Sequence, residues 1–138
     1  MFCAILAGEA PARIVYSDER HVAFLPLTHI NPGHVLLIPR VHYPDIFAMP
    51  PVDYRRLWAT VARLGPKLRQ VSKAIRIGIA LEGFSVPHVH VHLVPTNAGN
   101  ELDPNRAKPL CDADADLLAA KLRLAFNGLA QNRRTRDR

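Results

Sequence analysis

The chain has 138 residues, about half of them apolar and 22% charged, with a formal charge of +6. That size and composition suit one ordinary globular domain, and no apolar run approaches the ~20 residues of a membrane-spanning helix. Two cysteines, Cys3 and Cys111, make no disulfide framework, and the start, MFCAILAGEAPARIV, lacks the basic and long apolar regions of a signal peptide, so a cytoplasmic location is expected.

The charge is uneven. The last seven residues, NRRTRDR, carry four Arg against one Asp, which is half of the whole excess. Residues 132–138 are therefore expected to be a basic, disordered tail following a single domain over 1–131. The modest charge of the body makes no strong case for DNA or RNA but suits an anionic small molecule.

In chain order, RIVY (13–16) and HVAFLPL (21–27) read as strands joined by the polar turn SDER. NPG (31–33) is a second turn signal and leads into HVLLIPR (34–40), a strand with a buried character. Short turns between consecutive strands imply an antiparallel sheet. From Pro51 to about Lys73 the period changes. Leu57, Val61, Leu64, Leu68 and Val71 recur at spacings of four and three, one face of a helix. Pro50-Pro51 and Asp53 suit its start, and Gly65-Pro66 is expected to kink or divide it. AIRIGIALE (74–82) and PHVHVHLVP (87–95) read as a fourth and fifth strand, followed by a loop over 96–109. DADADLLAAKLRLAFNGLA (112–130) reads as a second helix, acidic at its start and with Gly128 near its end. The whole reads as an α+β fold: a five-stranded antiparallel sheet with a long central helix and a C-terminal helix on one face.

The fifth strand carries the chemistry. Three of the seven histidines, His88, His90 and His92, occupy alternate positions. Side chains on a strand alternate between faces, so all three share one face, ~6.6–6.8 Å apart in succession, while Val89, Val91 and Leu93 point into the core. The plainest reading is an amphipathic strand whose polar face carries histidines. A metal site is a second reading, with His34 an easier third ligand than the far end of a row ~13 Å long. Covalent chemistry is the third. A neutral imidazole held by one nitrogen presents the other as a nucleophile, and its neighbours supply hydrogen bonds or charge to a phosphate under attack. One nucleophile with two supports accounts best for three histidines.

CAILAGEAPARIVYSDERHVAFL, NPGHVLLIPRVHYPDIF and GFSVPHVHVHLVP, in this order, resemble the histidine triad (HIT) family over nearly the whole domain. The resemblance implies a HIT-like five-stranded antiparallel sheet, a homodimer with its sheets joined side by side, and hydrolysis or transfer at the phosphorus next to a nucleoside. The substrates it implies are nucleoside phosphoramidates, dinucleoside polyphosphates or similar nucleotide adducts. It makes His90 the nucleophile, forming a nucleotidyl-histidine, with His88 and His92 as flanking partners and His34 as a further active-site histidine. Ser85 corresponds to a residue at the phosphate or leaving group, and Phe24 to an apolar wall for the base. Gly83 suits a turn with positive φ or a close approach of backbone to ligand.

Pro26, Ile77 and Phe84 stand where many members carry polar residues for ribose and phosphate. They motivate the alternative of a nucleotide-binding module with little catalysis; the other is a metal-dependent hydrolase using the histidine cluster. Many members also hold zinc with two cysteines and two histidines. Here Cys3 has only His42 and His88 as possible companions, fewer than four ligands, so neither a structural metal nor another cofactor is expected. His42 reads as lying on the same strand and face as His34, His21 and His29 as incidental, Cys3 and Cys111 as inert thiols, and Trp58 as core or dimer interface.

Overall fold

The polar tetrapeptide after Tyr16 closes a hairpin in the computed structural model, which describes residues 1–136. One oxygen of the Asp18 carboxylate accepts from the backbone N–H groups of Arg20 and His21, each at 2.7 Å, and the other accepts from the Tyr16 hydroxyl at 2.7 Å. This Asx geometry reverses the chain between β1 (Ile14–Ser17) and β2 (His21–Phe24), with a register shift between Ile14 and Tyr16. β2 pairs with β4 (Val35–Pro39), β4 with β6 (Val91–Thr96), and β6 with β5 (Arg76–Ala80), all antiparallel. The sheet order is β1-β2-β4-β6-β5. The expected five strands are thus all present in one antiparallel sheet. A second, two-stranded sheet joins β3 (Thr28–His29) to β7 (Lys108–Pro109), the latter inside the segment expected to be a loop.

One face of the large sheet is the main core. Val15, Ala23, Val35, Leu37, Val91 and Leu93 meet α2 (Pro51–Ser72) through Leu57, Val61, Leu64 and Leu68. They meet α3 (Asp112–Arg136) through Ala119, Leu122 and Phe126. The expected helix stripe is this packing face, and Trp58 joins it half-buried. The other face was expected to lack a helix, but Val22, Phe24, Leu36 and Ile38 pack there with Phe2, Ile5 and Leu6 of a short N-terminal helix, α1 (Phe2–Leu6). β2 and β4 are therefore buried on both faces, which is why they read as unbroken apolar runs.

Three expectations are corrected. Gly65-Pro66 does not divide α2, which runs unbroken past it. Proline in a helix interior costs about 3 kcal/mol, but Leu64 and Leu68, on either side, are both fully buried. Burying a Leu contributes roughly 1.5–3 kcal/mol, so two docked residues keep the helix continuous through the fault. α3, expected to end near Gly128, continues to Arg136; residues 137 and 138 lie outside the described residues. Finally, β4 ends at Pro39, so His42 belongs to the following loop and shares neither strand nor face with His34.

Candidate functional site

The strand of the triad begins at Val91, so His88 and His90 lie in the irregular segment that feeds it. That segment is pinned by the Val89 N–H, which donates to the Tyr43 carbonyl at 2.8 Å, and by Val89 itself, buried in the main core. Gly83, at φ +91°, makes the turn before it with the positive φ expected.

Hydrogen bonds fix the protons on the three rings. His90 Nδ1 lies 2.7 Å from the His88 carbonyl oxygen, which can only accept, so Nδ1 carries the proton and Nε2 keeps its lone pair. The Ile30 N–H donates to His34 Nδ1 at 3.1 Å, so the proton of His34 is on Nε2. His34 Nε2 then donates to His92 Nδ1 at 2.9 Å, which leaves the proton of neutral His92 on its own Nε2. The site therefore pairs a bare imidazole nitrogen on His90 with an N–H donor on His92, the two ring centroids 5.0 Å apart. Burial, then the charge His92 would carry, pushes His34 down to about 3. Burial, then His90, pushes His92 down to about 4. Both are neutral near pH 7, as these tautomers require.

His34 reaches this position from a tight turn. Its N–H donates to the Asn31 carbonyl, and Gly33 sits at φ +97°. A Cβ on Gly33 would lie 2.9 Å from Pro95 Cγ, so the turn needs glycine both for its φ and for this close approach to β6.

His90, His92, Ser85 and Phe24 line one cleft of about 830 Å³, within the range of small-ligand sites. Gly83, His34 and His88 do not line it. Gly83 shapes the approach, and His34 acts through His92. His88 is directed elsewhere: its Nε2 donates to the Pro39 carbonyl at 3.0 Å, and its Nδ1 faces His42 and Cys3. It supports His90 through its carbonyl, whereas the alternation alone implied a supporting imidazole. Of the polar-contact positions, Pro26 is a cleft wall, Ile77 packs against the main core, and Phe84 is 93% exposed.

Sequence reasoning missed the rest of the cleft. Phe2 sits edge-on to Phe24, His88 and His90, at 5.6, 5.8 and 5.0 Å between centroids. Ile5, Leu27 and Arg13 also line it, and Arg13 is tied to Asp112 and Asp116 at 2.9 and 2.8 Å. The one signal was the apolar spacing Phe2, Ile5, Leu6, too short to stand out as a helix. His21 and His29, read as incidental, are both buried. His21 shares a 2.9 Å hydrogen bond with Thr60 on α2, while His29 stands edge-on to His34 with its Nδ1 unpartnered. Burial pushes both below the usual histidine range.

A second cluster lies behind the site. Cys3 Sγ is 3.6 Å from His42 Nδ1 and 3.7 Å from His88 Nδ1, and these two nitrogens are 3.1 Å apart. The three donors expected to be too few for a structural metal do converge, and the set remains three among the described residues.

Comparison with known proteins gives a family model, described as HIT domain, that matches residues 7–99. An uncharacterised HIT-like protein of Methanocaldococcus jannaschii is 32% identical over 104 residues, covering 72% of this chain and 81% of that protein. A bifunctional bis(5'-adenosyl)-triphosphatase/adenylylsulfatase of Arabidopsis thaliana is 30% identical over 95 residues, covering 65% of this chain and 53% of that protein. The crystal structure of a zinc-bound histidine triad family protein from Mycobacterium smegmatis matches at a TM-score of 0.79, with 29% identity and 95% of each chain covered.

Proposed function

The chain belongs to the histidine triad (HIT) family, and on that premise we propose that it is a nucleotide phosphohydrolase or nucleotidyl transferase acting at the α-phosphorus of a nucleotide adduct. The substrate class is a nucleoside phosphoramidate, a dinucleoside polyphosphate or a similar nucleotide anhydride. A relative that splits a dinucleoside triphosphate and an adenylyl sulfate supports that class. The observation that carries the reading is the bare Nε2 of His90 in the cleft, set by the bond from Nδ1–H to the His88 carbonyl.

In the first step His90 Nε2 forms a bond to phosphorus, and the bond from phosphorus to the leaving group breaks. The leaving group departs with the electron pair and takes a proton from water, from the Ser85 hydroxyl or from His92. The imidazole becomes a cationic nucleotidyl-imidazolium, and its Nδ1–H bond to the carbonyl strengthens as that charge forms. His92 Nε2–H donates to a phosphate oxygen and bears part of the charge on phosphorus. In the second step water attacks phosphorus and gives a proton back to the group that supplied one to the leaving group; the phosphorus–nitrogen bond breaks with its electron pair returning to His90 Nε2, and a nucleoside monophosphate leaves. Phe2, Phe24, Ile5 and Pro26 form apolar walls suited to a base.

The test is turnover of adenosine phosphoramidate, diadenosine triphosphate and adenylyl sulfate, with acid-quench trapping of a labelled nucleotidyl-protein. Wild type should turn over at least one and trap label; His90→Ala should trap none and lose activity by roughly 10³-fold or more. Unchanged turnover in His90→Ala would refute the nucleophile.

Pro26 in the cleft wall favours a second reading, a nucleotide-binding module with little catalysis. Calorimetric binding of AMP without turnover of any of the three substrates would select it. Metal-dependent hydrolysis has less support, because Cys3, His42 and His88 do not line the cleft. The partner we propose is a second copy of the chain. Arg123 and the rest of α3 flank β1 at one sheet edge, while β5 is the open edge, with Ile79 43% exposed on it. Among the described residues, no helix is long and apolar enough to cross a membrane.

A further inference from the structure

A second cavity opens where the chain leaves the cleft wall. Pro26, Leu27 and Thr28 line the cleft, whereas the next residues, His29 and Ile30, line a cavity of about 420 Å³. The two share no lining residue, so the short strand β3 divides them. Ile30, Pro32 and Pro109 give the second cavity apolar walls, and His29, Arg106 and Lys108 add nitrogen donors. No carboxylate lines it. A few polar groups on an apolar wall, in this range of volume, is the make-up of a small-molecule site.

The three donors are brought together by the two-stranded sheet and the loop before it. His29 and Lys108 are direct partners across β3 and β7, so their side chains share one face with Cβ atoms ~4.5–5.5 Å apart. Lys108 is exposed and makes no ion pair among the described residues. Arg106 is held through Nη2, which donates to Asn31 Oδ1 at 3.0 Å and to Glu101 Oε2 at 3.1 Å. Its guanidinium is thereby oriented while Nε and Nη1 remain to donate elsewhere. Glu101 offsets Arg106 in charge, so the excess positive charge at the cavity is that of Lys108. His29 is only 4% exposed, and its buried Nδ1 has no partner among the described residues. Buried polar groups nearly always find one, and an orphan marks a place for a water, an ion or a ligand.

We propose that this cavity binds a phosphomonoester with a compact apolar body, at a site separate from the nucleotide cleft. The phosphate oxygens accept from Lys108, Arg106 and His29 in charge-assisted hydrogen bonds, and the body rests on Ile30, Pro32 and Pro109. Burial, then the charge of Arg13, keeps His29 neutral, so its ring gives one N–H and leaves the charge of the anion to Lys108 and Arg106. Three donor groups suit the three terminal oxygens of a phosphomonoester better than the two of a carboxylate. The site rests on these residues whether or not His90 is a nucleophile.

The test is titration of the full-length, nitrogen-15-labelled protein with phenyl phosphate, followed by nuclear magnetic resonance. We expect saturable shifts of the His29, Ile30, Arg106 and Lys108 amides and of the His29 ring nitrogens at millimolar ligand or below. Lys108→Ala and, independently, Arg106→Gln should each weaken the binding read from these signals by about tenfold or more, with circular dichroism unchanged. Inorganic phosphate and benzoate should both bind more weakly than phenyl phosphate. Shifts confined to His90, His92 and other cleft residues, or an affinity unchanged in both variants, overturn the site. Silent His29 ring nitrogens overturn its role as a donor. Inorganic phosphate binding as tightly as phenyl phosphate overturns the apolar contact, and benzoate doing so overturns the choice of phosphate.

Discussion

His34 sets the chemistry of the cleft without lining it. By accepting from the Ile30 N–H it forces a proton onto its other nitrogen, and so decides that His92 offers a donor. The arrangement requires neutral rings, and this gives it a pH dependence. Burial holds His34 at about 3 when folded, against ~6.5 when unfolded. Between those values the unfolded chain binds the extra proton and the folded one does not, so stability is complete above about pH 6.5 and falls as the pH drops towards 3. Urea midpoints measured from pH 7.5 to 4.5 should decline for wild type. His34→Gln, which removes the titrating ring, should show a shallower decline; an equal slope would mean that other groups set the acid sensitivity.

At the scale of elements, the sheet and the two long helices were legible because each repeats a period over many residues. The stripe Leu57, Val61, Leu64, Leu68 became the packing face of α2 as spaced. Pro66 misled because local propensity was outweighed by burial on both sides of it. Leu64→Ala should therefore cost about 2–5 kcal/mol in equilibrium unfolding. Leu124→Ala, at an 80% exposed position on α3, should stay within about 0.5 kcal/mol. A small loss for Leu64→Ala would mean that the end of α2 unfolds independently. α1 was not legible: with five residues it has barely one turn, and its stability comes from Phe2, Ile5 and Leu6 docking on a sheet face contributed by distant strands.

For the whole molecule, the open edge at β5 bears on assembly. An unprotected edge strand with Ile79 exposed on it and Ile75 exposed just before it invites pairing with another sheet. Analytical ultracentrifugation should find a dimer in wild type and a shift to monomer in Ile79→Asp, with the circular dichroism of the folded chain kept. An Ile79→Asp protein that remains dimeric would move the interface elsewhere.

The sequence by itself determined the strand alternation that buries Val91 and Leu93, the two helix faces, the turns at Asp18 and Gly33, and the family. These depend on neighbours within a few positions, where a period of two or 3.6 residues or a required φ leaves a direct mark. Only the tertiary structure decided how the histidines divide. His90 and His92 face the cleft, His34 acts through a hydrogen bond across 58 positions, and His88 turns back towards Cys3, 85 positions away. Alternation gives a side chain its face. Where its two nitrogens find partners depends on which loops and helices the fold brings against that face, and no local pattern records that.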